Sequence, residues 1–223
     1  MGKLVGTPAP TVGVEEEFLL VDAGTGEPVP HARDVVESAG WKFGVDLDAG
    51  LTDALVTIRT PLCHDVADVR RQLHGLRSVA AGVAHGLGHR LLAVGVPPVG
   101  EPHVSISDRE PFRGIGEDYR LPAAELSTCG CHVHVAVPDP EAAVRVCDHV
   151  RPWLPVLGTV TANSPFTRGR DTGYASWRSL VRSRWPAAGP PPYFDSPAHY
   201  QATCEALLAA GVARDPRTFD WDV

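Results

Sequence analysis

Three consecutive glutamates, Glu15, Glu16 and Glu17, interrupt an otherwise apolar stretch at residues 11–22 (TVGVEEEFLLVD). Side chains alternate faces along a strand, so Glu15 and Glu17 share one face while Glu16 joins Val14, Phe18 and Leu20 on the other. Like charges on one strand face repel unless a cation lies between them. The Glu15/Glu17 pair is therefore a candidate hard-metal site, most simply for Mg²⁺, and the alternative is a solvated edge-strand face. A second constellation lies at residues 127–137 (STCGCHVHVAV), where two histidines are spaced i, i+2 among small and β-branched residues. As a strand it places Gly130, His132, His134 and Ala136 on one side and Cys129, Cys131, Val133 and Val135 on the other. That parity separates thiols from imidazoles and argues against one tetrahedral zinc site. The cysteines then read as small core hydrophobes, and the histidines face either a polar cleft or a half-solvated sheet surface. A third stretch, residues 162–178 (ANSPFTRGRDTGYASWR), gathers Arg168, Arg170 and Arg178 with Asn163, Ser164 and Thr172. These donors suit carboxylate or phosphate oxygens, or else form a solvated arginine loop.

The elements that must position these groups follow from periodicity and turn chemistry. A chain of 223 residues with 43% hydrophobic content can bury a full core. Residues 31–38 read as a short helix closed by Gly40, and within residues 41–58 the clearest extended piece is 55–58. Asp65 opens the strongest helix, with Val66, Val69, Leu73, Leu76, Val79, Ala80, Val83 and Leu87 at spacings of three and four. A strand at 90–96 leads into a loop-like segment, 97–122, with room for one short helix and the character of a lid or binding loop. Asp139 caps a helix that starts at Pro140 and buries Ala143, Val144, Cys147 and Val150, and Pro152 and Pro155 disturb its later turns. Residues 187–192, rich in Gly and Pro, read as a linker or rigid loop. Ser196 and Pro197 open a last helix with Tyr200, Cys204, Leu207 and Leu208 inward and Gly211 as its stop. This order implies an α+β fold in which helices pack on one face of a mostly antiparallel sheet and the other, polar face stays open.

Composition narrows the partners. A net charge of −7, with no basic cluster interleaved with aromatics, argues against nucleic acid. No apolar window approaches a membrane span, and residues 1–8 lack the apolar core of a secretory leader, so no membrane partner is expected. Five cysteines without framework spacing suit a reducing, cytoplasmic setting. No Walker A loop, GxSxG elbow, HExxH or GxGxxG is present.

Four segments taken together, GVEEEFLLVD (13–22), TCGCHVHVAVPD (128–139), ANSPFTRGRDTGYASWR (162–178) and RWPAAGPP (184–191), resemble the glutamate-cysteine ligase type 2 family of ATP-dependent carboxylate-amine ligases. The resemblance runs through essentially the whole chain. It implies a glutamine synthetase-like fold whose antiparallel sheet forms a polar funnel for ATP and Mg²⁺. It also implies joining of a carboxylate, glutamate or similar, to an amine, cysteine or another, through an acyl phosphate. Glu15 and Glu17 match the metal-binding acidic strand. His132 matches the first histidine of the His-Val-His motif, near nucleotide or metal, with His134 second. Arg178 closes the GYASWR motif and is expected to hold substrate carboxylate or phosphate, with Arg170 weaker and Asn163 and Ser164 completing the nucleotide-binding set.

The sequence also departs from that family. Where a segment like ELTPAQVET is usual, residues 50–58 read GLTDALVTI, with Gly50 and Thr57 at positions expected to be glutamates. Pro111 and Phe112 fall where an Arg-Tyr pair is expected, with Arg109 or Arg113 as stand-ins. The chain ends at Val223, where the family continues. The resulting expectation is one incomplete catalytic domain over residues 1–223, inactive or very weak, with an uncovered sheet edge that favours self-association or poor solubility. The alternative is a non-catalytic ligand-binding or regulatory paralogue.

Overall fold

The structure, a computed structural model, describes residues 9–101, 104–214 and 219–223. Residues 1–8, the segment read for a leader, lie outside the described residues. The elements in chain order are β1 (Val12–Asp22), α1 (Ala32–Phe43), β2 (Leu47–Ala49), β3 (Leu55–Arg59), α2 (Val66–Gly86), β4 (His89–Leu92), α3 (Phe112–Tyr119), α4 (Leu121–Ala124), β5 (Cys131–Val135) and α5 (Pro140–Val150). A 3₁₀ turn at Arg151–Trp153 leads to α6 (Leu154–Thr161), followed by β6 (Phe166–Thr167), β7 (Arg170–Asp171), α7 (Trp177–Arg182), β8 (Ala188–Gly189), α8 (Pro197–Ala209) and β9 (Asp220–Trp221).

The long strand β1 is the hub of the main sheet. On one side it pairs with β3, which in turn pairs with β2. Its other side is shared between β5, along Val12 to Glu16, and β4, along Leu19 to Asp22. All of these pairings are antiparallel. The fold is thus α+β, as the order of elements implied.

Helices α1 and α2 cover one face. Phe18, Leu20, Leu47, Val56 and Ile58 from the strands pack with Val35, Ala39, Ala80, Val83 and Ala84 from the helices. Each fully buried large apolar side chain contributes roughly 1.5–3 kcal/mol, so this layer anchors the sheet. Asp65 caps α2 by accepting the Asp68 N–H at 2.7 Å, and Asp139 caps α5 by accepting the Ala142 N–H at 2.7 Å. The opposite face changes character along β1. At its C-terminal half, Leu19 and Val21 are covered by Leu55, Ala54, Val104 and Cys129. At its N-terminal half the same face carries Glu15 and Glu17 and stays open.

Several boundaries differ from the sequence reading. Helix α1 runs through Gly40 and stops at Gly44, whose φ of 62° is the left-handed conformation that ends helices. β4 ends at Leu92, and the 97–122 segment holds two short helices instead of one. The histidine strand begins only at Cys131. Cys129 lies before it, tied by its N–H to the Gly95 carbonyl at 3.1 Å, and packs with Leu19 and Leu55. Strand parity does not extend across that join, so Cys129 is a core residue while Cys131 is exposed. In α5 only Val144 is fully buried. Val133 and Val135 on β5 and Val156, Leu157 and Val160 on α6 are exposed.

The middle glutamate has a structural partner. Glu16 faces the helices with a side chain only 10% exposed, and Arg77 of α2 grips it with Nε at 2.7 Å and Nη2 at 2.9 Å. Replacing Arg77 with alanine leaves a desolvated carboxylate without its cation. The expected cost is about 2–3 kcal/mol, at the low end for a buried pair because Arg77 itself is half exposed. Urea unfolding checks this: the midpoint should fall with an unchanged m-value, and an unmoved midpoint would refute the structural role of the pair.

A candidate anion-binding site on the polar sheet face

Strand register alone assembles most of the site. Residues directly opposite one another on antiparallel strands share a face. β5 therefore sets His132 beside Glu15 and His134 beside Gly13, while β3 sets Arg59 beside Glu15 and Thr57 beside Glu17. One strand further out, Asp48 of β2 lies opposite Thr57.

Gly130 is the junction. Its N–H donates to Glu17 Oε2 at 2.7 Å, and its carbonyl accepts the Glu17 N–H at 2.9 Å. A Cβ at this position would lie 3.1 Å from Arg178 Nη2, 3.1 Å from His132 Nε2 and 3.3 Å from Glu17 Oε2. An acid, an imidazole and a guanidinium therefore converge on the space that glycine leaves open.

Arg178 is brought there by the segment before it. Ser164 is buried, accepts the Arg178 N–H on its hydroxyl at 3.2 Å, and pairs through its backbone with Ala175 and Trp177. Ser176 caps α7 by accepting the Ser179 N–H at 3.4 Å. The Arg178 Nε then donates to the Cys129 carbonyl at 2.7 Å, and Arg182 follows one turn later on the same helix face. The result is a cleft of about 350 Å³ whose lining includes Glu17, Cys131, His132, Asn163, Arg178 and Arg182.

Desolvation at the cleft floor pushes the Glu17 carboxyl above its ordinary pKa. The Gly130 N–H opposes this, Glu15 adds to it, and Arg178 and Arg182 oppose it. The His132 residue reaches the surface, yet its ring is crowded. Desolvation, with Arg182, Arg178 and His134, holds its pKa below the usual value against the opposing pull of Glu15. These effects favour the neutral imidazole. Burial pushes the Cys129 thiol well up, with Glu17 adding to the effect, so this cysteine is no nucleophile.

Of the residues singled out by sequence, the structure brings Glu17, His132, Asn163 and Arg178 together in one cleft. Ser164 sits behind it, positioning Arg178. Glu15 is turned aside: both its oxygens accept from Arg59, at 3.1 Å from Nε and 3.0 Å from Nη2. His134 Nε2 stands 3.9 Å from Glu15, and the two line an adjoining recess of about 280 Å³ with Arg59. The three arginines of the 162–178 loop do not converge. A tight β6–β7 turn, with positive φ at Arg168 (53°) and Gly169 (71°), leaves Arg168 paired with Glu101 and Arg170 exposed outside the cleft lining.

Arg182, Arg59 and Asp48 were not singled out by the sequence. The spacing of Arg182 from Arg178 was a usable signal, whereas Arg59 and Asp48 required the register. Arg109, one of the two stand-ins for the Arg-Tyr pair, does reach the polar face. It donates to Asp48 Oδ1 at 2.6 Å and to the Ala49 carbonyl at 2.7 Å, while Arg113 pairs with Glu110.

The residues do not fit a protein-held divalent ion. Among the described residues no group of three His, Cys, Asp or Glu side chains is placed to hold a metal, and Glu15, one of the three expected ligands with Glu17 and His132, is engaged through both its oxygens by Arg59. The two departures at glutamate positions have local structural correlates. A Cβ on Gly50 would lie 2.7 Å from the Leu55 Cβ, so a side chain there requires β3 to move. Thr57 is 2% exposed, between Glu17 and Asp48.

Fold and site define an α+β protein with an acid–imidazole–guanidinium cleft on the open face of an antiparallel sheet. Residues 11–223 match Glutamate-cysteine ligase family 2 (GCS2), and the chain belongs to that family. It is 48% identical over 217 residues to the “Putative glutamate--cysteine ligase 2-2” of Mycolicibacterium vanbaalenii, covering 97% of this chain and 59% of that protein. It is 45% identical over 213 residues to the “Putative glutamate--cysteine ligase 2” of Salinispora arenicola, covering 96% and 56%. The chain thus spans little more than half the length of these curated relatives. Among solved structures, the fold is similar to a glutamate–cysteine ligase from Francisella tularensis in complex with AMP (TM-score 0.68, 12% identity, 93% of this chain and 49% of that one). It is equally similar to a bifunctional glutathione synthetase from Pasteurella multocida (TM-score 0.68, 14% identity, 95% and 32%).

The raised Glu17 pKa has a defined sign in stability. The folded value lies above the reference of 4.5, so the group's contribution is fully present below about pH 4.5 and is lost as pH rises through the folded pKa. A Glu17→Gln variant keeps an acceptor for the Gly130 N–H and removes the desolvated charge. It should melt at least about 2 °C higher than the parent at pH 7, with the gap closing at acidic pH. Thermal melts across pH check this, and a destabilised variant at neutral pH would contradict it.

Proposed function

We propose that this chain carries the anion-handling portion of an ATP-dependent carboxylate–amine ligase site, with glutamate or a similar carboxylate and cysteine or another small amine as substrates. The observation that carries the reading is the convergence of Glu17, His132 and Arg178 around Gly130 in a chain of this family. The AMP held by the Francisella tularensis ligase of the same fold supports a nucleotide as co-substrate. Free thiols at all five cysteines fit a reducing, cytoplasmic setting.

ATP, when bound, supplies the phosphoryl group that activates a carboxylate toward an amine. The chain's own residues supply orientation and proton handling. Arg178, aimed by its Nε bond to the Cys129 carbonyl, presents a planar fork suited to a carboxylate or phosphate, and Arg182 adds a second positive charge. An amine acceptor arrives as an ammonium and must lose a proton before its nitrogen lone pair can form the new C–N bond, while the activated carboxylate's C–O bond to phosphate breaks and inorganic phosphate leaves with that electron pair. Neutral His132 is the base placed to take the proton through Nε2, which lies at the convergence point. No step is assigned to a protein-held divalent ion, because among the described residues no group of three His, Cys, Asp or Glu side chains is placed to hold one.

The test is phosphate release from ATP with glutamate and cysteine offered singly and together. Release is expected only with both, and release indifferent to glutamate would count against the reading. In parallel, AMP binding measured by calorimetry should weaken at least about tenfold in Arg178→Ala, the usual scale for losing a hydrogen-bonded charge. A smaller loss is expected in Gly130→Ala, whose methyl group crowds the same atoms. Binding without turnover would leave an anion site and remove the ligase reading.

A further inference from the structure

Just beyond the end of β4, the buried Gly95 touches both anchors of Arg178. Its carbonyl accepts the Cys129 N–H at 3.1 Å, and the Cys129 carbonyl in turn accepts from Arg178 Nε at 2.7 Å. Its missing side chain matters as much. A Cβ at this position would lie 3.0 Å from the Ser164 Cβ, 3.1 Å from the Ser164 Oγ and 3.2 Å from Asn163 Oδ1. Carbon atoms pack at about 3.5–4.0 Å, so a methyl group here must push the Ser164 segment away. Ser164 cannot give alone. Its N–H donates to the Ala175 carbonyl at 3.1 Å, its carbonyl accepts the Trp177 N–H at 2.9 Å, and its hydroxyl accepts the Arg178 N–H at 3.2 Å. A displacement at Ser164 is therefore passed to the first turn of α7, which carries Arg178.

We propose that Gly95 is a positioning residue for Arg178. Its carbonyl fixes the Cys129 peptide that holds the guanidinium, and its lack of a side chain sets how closely the Ser164 segment, and with it α7, approaches the cleft. The inference rests on the ligase reading only for what Arg178 does to a ligand, not for how Arg178 is held. Gly95 also contributes to the cleft lining, so displacement of Arg178 must be separated from direct crowding of a ligand. A measurement on the ligand-free protein does this.

Arginine side-chain NMR of the isotope-labelled full chain is the test. The Arg178 Nε–H is identified by its loss in Arg178→Lys, and the Arg77 Nε–H, bonded to Glu16 at the same 2.7 Å, serves as the control in the same spectrum. In Gly95→Ala, solvent exchange of the Arg178 Nε–H should quicken at least about fivefold, the scale of a weakened hydrogen bond, while that of Arg77 stays as in the parent. Unchanged exchange at Arg178, or an equal acceleration at both arginines, would overturn the proposal. If Gly95→Ala does not fold, adding Ser164→Gly removes the two shortest contacts: recovered folding supports the proposal, and a double variant that stays unfolded overturns it. AMP calorimetry reads the consequence, and affinity should fall at least about threefold in Gly95→Ala. Release of the Arg178 Nε–H with undiminished AMP binding would leave the positioning role standing and count against the ligase reading, so the two failures are distinguishable.

Discussion

A carboxylate on a sheet must find a cation, a set of N–H donors or water, and β1 carries three of them in succession at the centre of its sheet. Each finds a different solution. Glu16 turns to the helical face and is held by Arg77, Glu15 is held by Arg59 across the sheet, and Glu17 is left with one backbone N–H and the field of two arginines. Only Glu17 remains incompletely compensated, and it is the one in the cleft. The rest of the site follows from that imbalance: Gly130 must come close enough to donate its N–H, and the absence of its side chain opens the space in which His132 and Arg178 meet.

The same strand explains how a rigid support and an open site coexist. Over its C-terminal half, β1 is buried on both faces, so Leu19, Leu20 and Val21 cannot shift without disturbing two cores. Over its N-terminal half only the helical face is covered. Glu17 thus projects from a strand anchored by the packing just beyond it and His132 from the paired strand β5, whereas Arg178 is brought in by the segment around Ser164.

Much of this was legible in the sequence because it depends on local periodicity. Parity alone grouped Glu15 with Glu17 and His132 with His134, Asp65 and Asp139 announced their helices, and the spacing from Val66 to Val83 drew out α2. What was hidden depends on non-local pairing. That Arg59 stands opposite Glu15, or Asp48 opposite Thr57, follows only once β1, β2 and β3 are in register, and a one-residue slip would exchange every neighbour. Parity also failed where a strand ended sooner than its residue types implied, so Cys129 fell on the Leu19 side. Arg170 was misplaced for a similar reason, because a turn with positive φ separates residues that are close in sequence.

The residues at positions 50, 57 and 59 are best understood as one set. A glutamate at 57 would stand directly between Glu17 and Asp48, placing three carboxylates in one row across adjacent strands. Such a row repels itself strongly unless a multivalent cation lies against it. A neutral threonine removes that demand, and Arg59 one step along the same face then balances Glu15 and Asp48 with a side chain that belongs to the chain. The backbone is adapted as well, since Gly50 packs against the Leu55 Cβ with no room for a side chain. Restoring any one acidic residue alone would place a charge where its neighbours have already been neutralised. Groups that act as a unit are not additive, and here the unit includes the arginine that makes the threonine tolerable.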